Sequence, residues 1–322
     1  VPGSGCYGHT GADDATYEAA LVAMALPGRP ILLKWTREDE HMWEPFASAM
    51  AVDLAAKMTD GKITEFSAEV FSDTHRGRPR AGSARAGPGK LLANRFRATP
   101  IGPTPATPNM GQHAGMHRNL DPAYAIEKKR LIKNLVPNLP HRTSALRCLG
   151  AAANMFAIES SMDELARTAG VDPIGFRLSH LDDGRARDVL LALQDRLSHW
   201  PDPAETTGRG IAYAQYKNTM ARVAVAVDLE VSDLAEIRLR SAAIIAVAGR
   251  IIDAEGLTAQ LEGGFVQAAS WALFEEVRWD RDGIQTRDWD SYPVIRFDNV
   301  PTITVTLLDL PDEIAVGAGE AS

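Results

Sequence analysis

Polar and apolar positions alternate along this chain with two different periods, and the changes of period mark its elements. Helical patterning covers residues 12–26, 151–168, 186–197 and 257–277. Asp13 and Asp14 stand at the start of the first helix, and Pro27-Gly28 ends it. Met155, Phe156, Ile158, Met162 and Leu165 are the apolar positions of the second, which Gly170 closes. Another helix is expected to start at Asp172-Pro173, with Asp172 as N-cap and Pro173 in the first turn. Alternation and β-branched content predict strands over residues 31–36, 50–58, 63–71, 131–136, 211–216, 221–231, 236–247, 294–297 and 303–308. Thr59-Asp60-Gly61 joins two of them as a hairpin turn. Residues 206–210 read as a linker. Strands come in runs and helices in runs, so the expected class is α+β, strands with packed helices, rather than a parallel α/β sheet.

Residues 74–119 fit neither period. They are rich in Arg, Gly and Pro, as in Gly77-Arg78-Pro79-Arg80, and predict a long irregular excursion. The simplest reading is a solvated basic loop without a role. Composition then bounds the rest. The 322 residues are 45 % hydrophobic, enough for a real core in two domains or one large one. The expected division falls at 1–150 and 151–322. A net charge of −8 argues against nucleic acid as a partner, because phosphate contacts need a basic surface. No apolar run reaches the roughly 18–20 residues of a membrane helix. Two cysteines, Cys6 and Cys148, exclude an internal iron–sulfur cluster or zinc ribbon on ligand count. Val1-Pro2-Gly3 and Gly319-Glu320-Ala321-Ser322 both read as loop interiors, so the chain is expected to be part of a larger polypeptide.

Four short motifs carry candidate chemistry, and each also has a plain reading. Gly3-Ser4-Gly5-Cys6-Tyr7-Gly8 matches G-x-G-x-x-G but lacks the preceding strand of a dinucleotide site. It reads better as a glycine-rich turn whose amides face an anion. Arg147, in Ser144-Ala145-Leu146-Arg147-Cys148-Leu149-Gly150, precedes a helix and is placed either to grip an oxyanion or to sit in solvent. Gln260-Leu261-Glu262-Gly263-Gly264 puts paired glycines inside a helix, for close packing or close ligand approach. Gly317-Ala318-Gly319-Glu320 sets a carboxylate among small residues, as a general base or as a solvated loop acid. The eight histidines are scattered singly.

In this order the motifs resemble the molybdenum-cofactor-binding large subunit of the xanthine dehydrogenase and aldehyde oxidase family, in the branch of isoquinoline 1-oxidoreductase and nicotinate dehydrogenase. The resemblance also rests on Trp35-Thr36-Arg37-Glu38-Asp39, on Phe156 to Ala166 and on Ser291-Tyr292-Pro293-Val294. It implies two mixed domains, with 1–150 as part of the cofactor-binding region and 151–322 as a C-terminal cofactor-binding domain cut after Glu320. It implies that Cys6, Tyr7, Gly8, Arg147 and Gln260 bind the cofactor and that Glu320 is the catalytic base. The implied cofactor is molybdenum-molybdopterin in its cytosine dinucleotide form. The implied reaction is oxidative hydroxylation of an N-heteroaromatic or an aldehyde, with water as the oxygen source. Leu149 stands where purine-oxidising relatives carry an aromatic residue, which argues against a purine. Electrons are expected to leave through a separate small iron–sulfur subunit, then to a cytochrome or other acceptor. The alternative is a cofactor-free binding or assembly module of the same fold. Two departures accompany the resemblance. The family's Met-Gly-Gln-Gly-type cofactor loop is missing, and residues 244–254 lack its usual Asp-x-Gly and Asn-Pro.

Overall fold

The computed structural model describes residues 11–77, 88–102, 105–201 and 203–321. Helices α1 (Asp14–Ala25) and α2 (Arg37–Trp43) come first, then the two-residue strand β1 (Phe46–Ala47). The Thr36 hydroxyl and the Asp39 carboxylate cap each other's backbone amides, which fixes where α2 begins. Strands β2 (Met50–Thr59) and β3 (Lys62–Ser72) form the expected hairpin. Asp60 and Gly61 both have positive φ, 51° and 73°, the turn geometry whose twist matches the strands. After the excursion, β4 (Lys128–Leu135) returns to pair with β3 in parallel, giving the order β2-β3-β4. Strand β5 (Thr143–Ser144) pairs with β1.

The second half begins with α3 (Ala151–Ala169), α4 (Pro173–Ser179) and α5 (Gly184–Leu197). Asp172 and Asp183 accept hydrogen bonds from the first free amides of α4 and α5, which explains both starting points. Strands β6 (Thr207–Gln215), β7 (Arg222–Val231) and β8 (Ile237–Val247) follow as an antiparallel run. Then come α6 (Ala254–Leu273), the small hairpin β9 (Trp279–Asp280) and β10 (Gly283–Ile284), and β11 (Thr302–Leu307). Strand β11 pairs with β8 in parallel, so this sheet runs β11-β8-β7-β6.

Alternation along β7 divides the core. Ala224 and Ala226 face one cluster, with Val189, Leu190 and Leu193 of α5, Ile158 and Met162 of α3, and Phe66, Ala68 and Val70 of β3. Val223 faces a second cluster with Ile244 and Ala246 of β8 and Leu261 and Phe265 of α6. Helices therefore pack against both faces of the second sheet. Arg177 ties α4 to α3 and β6: its fully buried guanidinium donates to Glu159 Oε2, Asp163 Oδ1 and the Ile211 carbonyl.

Three sequence expectations give way. Residues 31–36 have no ladder partner among the described residues; Leu32 is 94 % exposed, and Trp35 Nε1 donates instead to Glu18 of α1. Residues 207–210 are not a linker but the opening of β6, paired with Glu230 to Val227. Residues 294–297 form no strand, and Ile295 N donates to the Ser270 hydroxyl of α6.

Candidate active site

The turn before α3 is held in an unusual backbone conformation. Cys148 and Leu149 both have positive φ, 68° and 50°, which side chains rarely adopt unless the surroundings impose it. Two contacts impose it here. Gly150 N donates to the Gly115 carbonyl, and a Cβ on Gly150 would lie 2.4 Å from the Met116 carbonyl oxygen. The Asn154 amide, one turn into α3, donates to the Met116 and Arg118 carbonyls at 2.9 and 2.8 Å. The excursion is thus stapled to the start of α3, and Arg147 is directed inward.

Arg147 is only 8 % exposed. Its guanidinium donates to Gln267 Oε1 at 3.1 Å and to the Gln260 carbonyl at 3.3 Å. Gln260 and Gln267 are seven residues apart and so lie on one face of α6. The Glu320 carboxylate accepts from Cys148 N at 2.8 Å and from the Tyr216 hydroxyl, and Arg118 Nη1 lies 3.8 Å from its Oε1. Burial pushes the Cys148 thiol up to about 12, with the nearby Glu320 charge adding to the effect. It remains a thiol at neutral pH and is not an activated nucleophile.

Arg147, Cys148, Tyr216, Gln267 and Glu320 line a cavity of about 770 Å³. Its walls are α3, with Ala152 and Phe156, and α6, with Gly264, Gln267 and Trp271; small residues of β6 and the valines of β7 complete it. Gly264 exposes bare helix backbone to the cavity, whereas a Cβ on Gly263 would meet nothing. Phe156, which sequence periodicity assigns to the core, is 76 % exposed and belongs to this wall. The cavity is apolar apart from a few convergent polar groups, the usual composition of a small-molecule site.

Of the expected site residues, Arg147 and Glu320 line the cavity, and Gln260 joins them through its carbonyl. Cys6, Tyr7 and Gly8 lie outside the described residues. Sequence reasoning misses Gln267, Arg118 and Tyr216. The first was legible as the residue one heptad beyond Gln260 on the same face; the other two leave no local signal. Among the described residues no three His, Cys, Asp or Glu side chains converge as a metal-ligand set. The cavity offers the Arg147 guanidinium, the Gln267 carboxamide and backbone groups beside the Glu320 carboxylate, a set that suits a bulky polar group.

Two family models, both described as a molybdopterin cofactor-binding domain, match residues 146–301 and 83–181. One of the subunits of nicotinate dehydrogenase from Pseudomonas putida is 32 % identical over 99 % of this chain and 27 % of its own length. The beta chain of isoquinoline 1-oxidoreductase from Brevundimonas diminuta is 27 % identical over 95 % of this chain and 37 % of its own length. The chain therefore spans well under half the length of these relatives. Among solved structures, quinoline 2-oxidoreductase of Pseudomonas putida 86 superimposes with a TM-score of 0.71 at 12 % identity, over 97 % of this chain and 63 % of that one. Aldehyde oxidoreductase of Desulfovibrio gigas gives 0.69 at 14 % identity, over 98 % and 50 %.

Proposed function

The chain belongs to the molybdopterin cofactor-binding family of the xanthine dehydrogenase and aldehyde oxidase type, and we propose that it forms the catalytic centre of a molybdenum hydroxylase. The observation that carries this reading is the meeting of Arg147 and Glu320 in one apolar cavity, from positions 173 residues apart in sequence. The proposed substrate is an N-heteroaromatic or an aldehyde. The proposed cofactor is molybdenum-molybdopterin in its cytosine dinucleotide form. The electron partner is a small iron–sulfur subunit, followed by a cytochrome or other acceptor. Two cysteines in 322 residues cannot supply the ligands of such clusters here.

When bound, the cofactor supplies two-electron redox chemistry and activates a water oxygen. Everything else falls to the chain. Arg147 is the cationic hydrogen-bond donor, held in orientation by the Gln267 side chain and the Gln260 carbonyl. Cys6, Tyr7 and Gly8 are proposed as further cofactor-binding residues on the resemblance of their motif. The Ala, Val and Phe walls exclude water and accept a flat apolar ring. Glu320 holds its carboxylate in the cavity with Oε1 on the Cys148 amide and takes up the proton that oxygen transfer releases.

The test is isotopic. The intact enzyme is supplied with N-heteroaromatics and aldehydes in ¹⁸O-water. The expected heteroaromatic product carries one ¹⁸O, while the aldehyde is scored by carboxylate formation alone because its carbonyl oxygen exchanges with water. Unlabelled heteroaromatic product, whose oxygen then comes from dioxygen, or no oxidation of either class, overturns the reading.

A further inference from the structure

The Arg- and Pro-rich excursion, which sequence patterning leaves without a role, ends at Arg118-Asn119, and these two residues reach across to the turn after β6. Asn119 Nδ2 donates to the Gln215 carbonyl at 2.7 Å and to Asn218 Oδ1 at 2.9 Å, and Asn119 Oδ1 accepts from Lys217 N at 3.0 Å. Three of the four residues of this clasp have positive φ: 59° at Asn119, 54° at Lys217 and 54° at Asn218. Three such residues in mutual contact mark a conformation that surrounding bonds impose. The clasp aims one side chain, Tyr216, at Glu320.

The hydrogen-bond directions along this path are fixed. Arg118 Nη1 has protons only to give, so Tyr216 Oη accepts from it. The single phenolic proton is then directed at Glu320 Oε2. Glu320 Oε1 takes the Cys148 amide. The carboxylate thus has one donor on each oxygen, and its plane is set. Arg118 forms a long ion pair with Oε1 at 3.8 Å, beyond hydrogen-bond distance, and reaches Oε2 through the Tyr216 hydroxyl.

We propose that Tyr216, oriented by Arg118, is a positioning residue for Glu320: it fixes the carboxylate facing the cavity and holds Arg118 at a long ion-pair distance from it, short of a direct hydrogen bond. Tyr216 stays a proton donor at every ordinary pH, because burial first and its bond to Glu320 second hold the phenol far above the usual tyrosine range. Without the hydroxyl, Oε2 loses its donor, and Arg118, already 3.8 Å from Oε1, no longer donates to Tyr216. The carboxylate then turns onto the guanidinium and away from the reacting proton. Misplacement of a reacting group by about 1 Å costs on the order of 10²-fold in rate, so the effect falls on turnover and not on binding.

This inference rests on the reading of Glu320 as the base. The test compares Tyr216→Phe, Arg118→Gln and the double variant in the intact enzyme, with molybdenum content and melting temperature measured alongside kinetics. Tyr216→Phe is expected to keep both, to leave KM unchanged and to lower kcat by about 10- to 100-fold. The double variant is expected to lose no more than the worse single variant, since both act through one hydrogen-bonded path. Wild-type kcat in Tyr216→Phe overturns the inference. So does a fall in molybdenum content or melting temperature that parallels kcat, or strictly additive losses. Glu320→Gln separates the two levels: if it turns over normally, the reading of Glu320 fails, whereas an inactive Glu320→Gln beside a fully active Tyr216→Phe overturns only the positioning role.

Discussion

Arg177 is the largest side chain withdrawn completely from solvent among the described residues. Its charge is met by Glu159, by Asp163 and by backbone carbonyls on two other elements. Burial raises the Glu159 carboxyl above its ordinary value, and the Arg177 charge works against that. Removing one partner of such a pair strands the other in a dry interior. Arg177→Met is therefore expected to destabilise the fold by about 3–5 kcal/mol, measured by chemical denaturation. His75 is a different case. It is buried with Nε2 3.1 Å from the Ser72 hydroxyl, and burial lowers its pKa to about 4. The folded value is below the unfolded one, so between about pH 6.5 and 4 the unfolded chain carries a proton that the folded chain lacks. Stability is full above that window and falls as pH drops through it, by about 3 kcal/mol from this group. His75→Asn tolerates the same left-handed backbone and is expected to flatten the stability–pH curve there. A curve unchanged by the substitution contradicts the assignment. At this scale the sequence was partly legible. Arg147 and Glu320 stand out because small residues surround them. Arg118 and Tyr216 do not, since their roles come from a contact 98 residues apart.

Elements were legible where their signals are local. The capped start of α4 and the turn between β2 and β3 need only neighbours in sequence, and both form as their residues predict. Residues 31–36 have the alternation of a strand, but a strand needs a ladder, and no partner among the described residues reaches them. The opening of β6 was hidden for the converse reason. Gly208 and Gly210 read as linker residues, yet β7 supplies the pairing that makes them strand. The join between the excursion and α3 is equally nonlocal. Gly150→Ala would place its new methyl 2.4 Å from the Met116 carbonyl. The expected cost is about 1–3 kcal/mol of stability. Arg118, two residues beyond Met116, shifts with that loop, so turnover is expected to fall beyond what the stability loss explains. Steady-state kinetics well below the melting temperature check this, and unchanged turnover contradicts it.

The whole molecule is organised around the second sheet, whose α6 side leaves part of β6 and β7 uncovered beside α3. That uncovered strip is the cavity. No single segment encodes it: α3, α6, β6, β7 and the loop of Glu320 each supply one side. The α+β class follows from element order, but the parallel pairing of β11 with β8 does not, because it depends on which edge α6 leaves open. The order of motifs carried the site further than any one motif did. The central claim is that Glu320 is the base of a molybdenum hydroxylase, and one comparison tests it most directly. Wild-type and Glu320→Gln forms of the intact enzyme are assayed for bound molybdenum and for oxidation of an N-heteroaromatic substrate. Both forms are expected to hold equal molybdenum, while the variant loses about 10²- to 10⁴-fold in kcat. Normal turnover by the variant, or a wild-type enzyme that oxidises its substrate without molybdenum, would contradict the account.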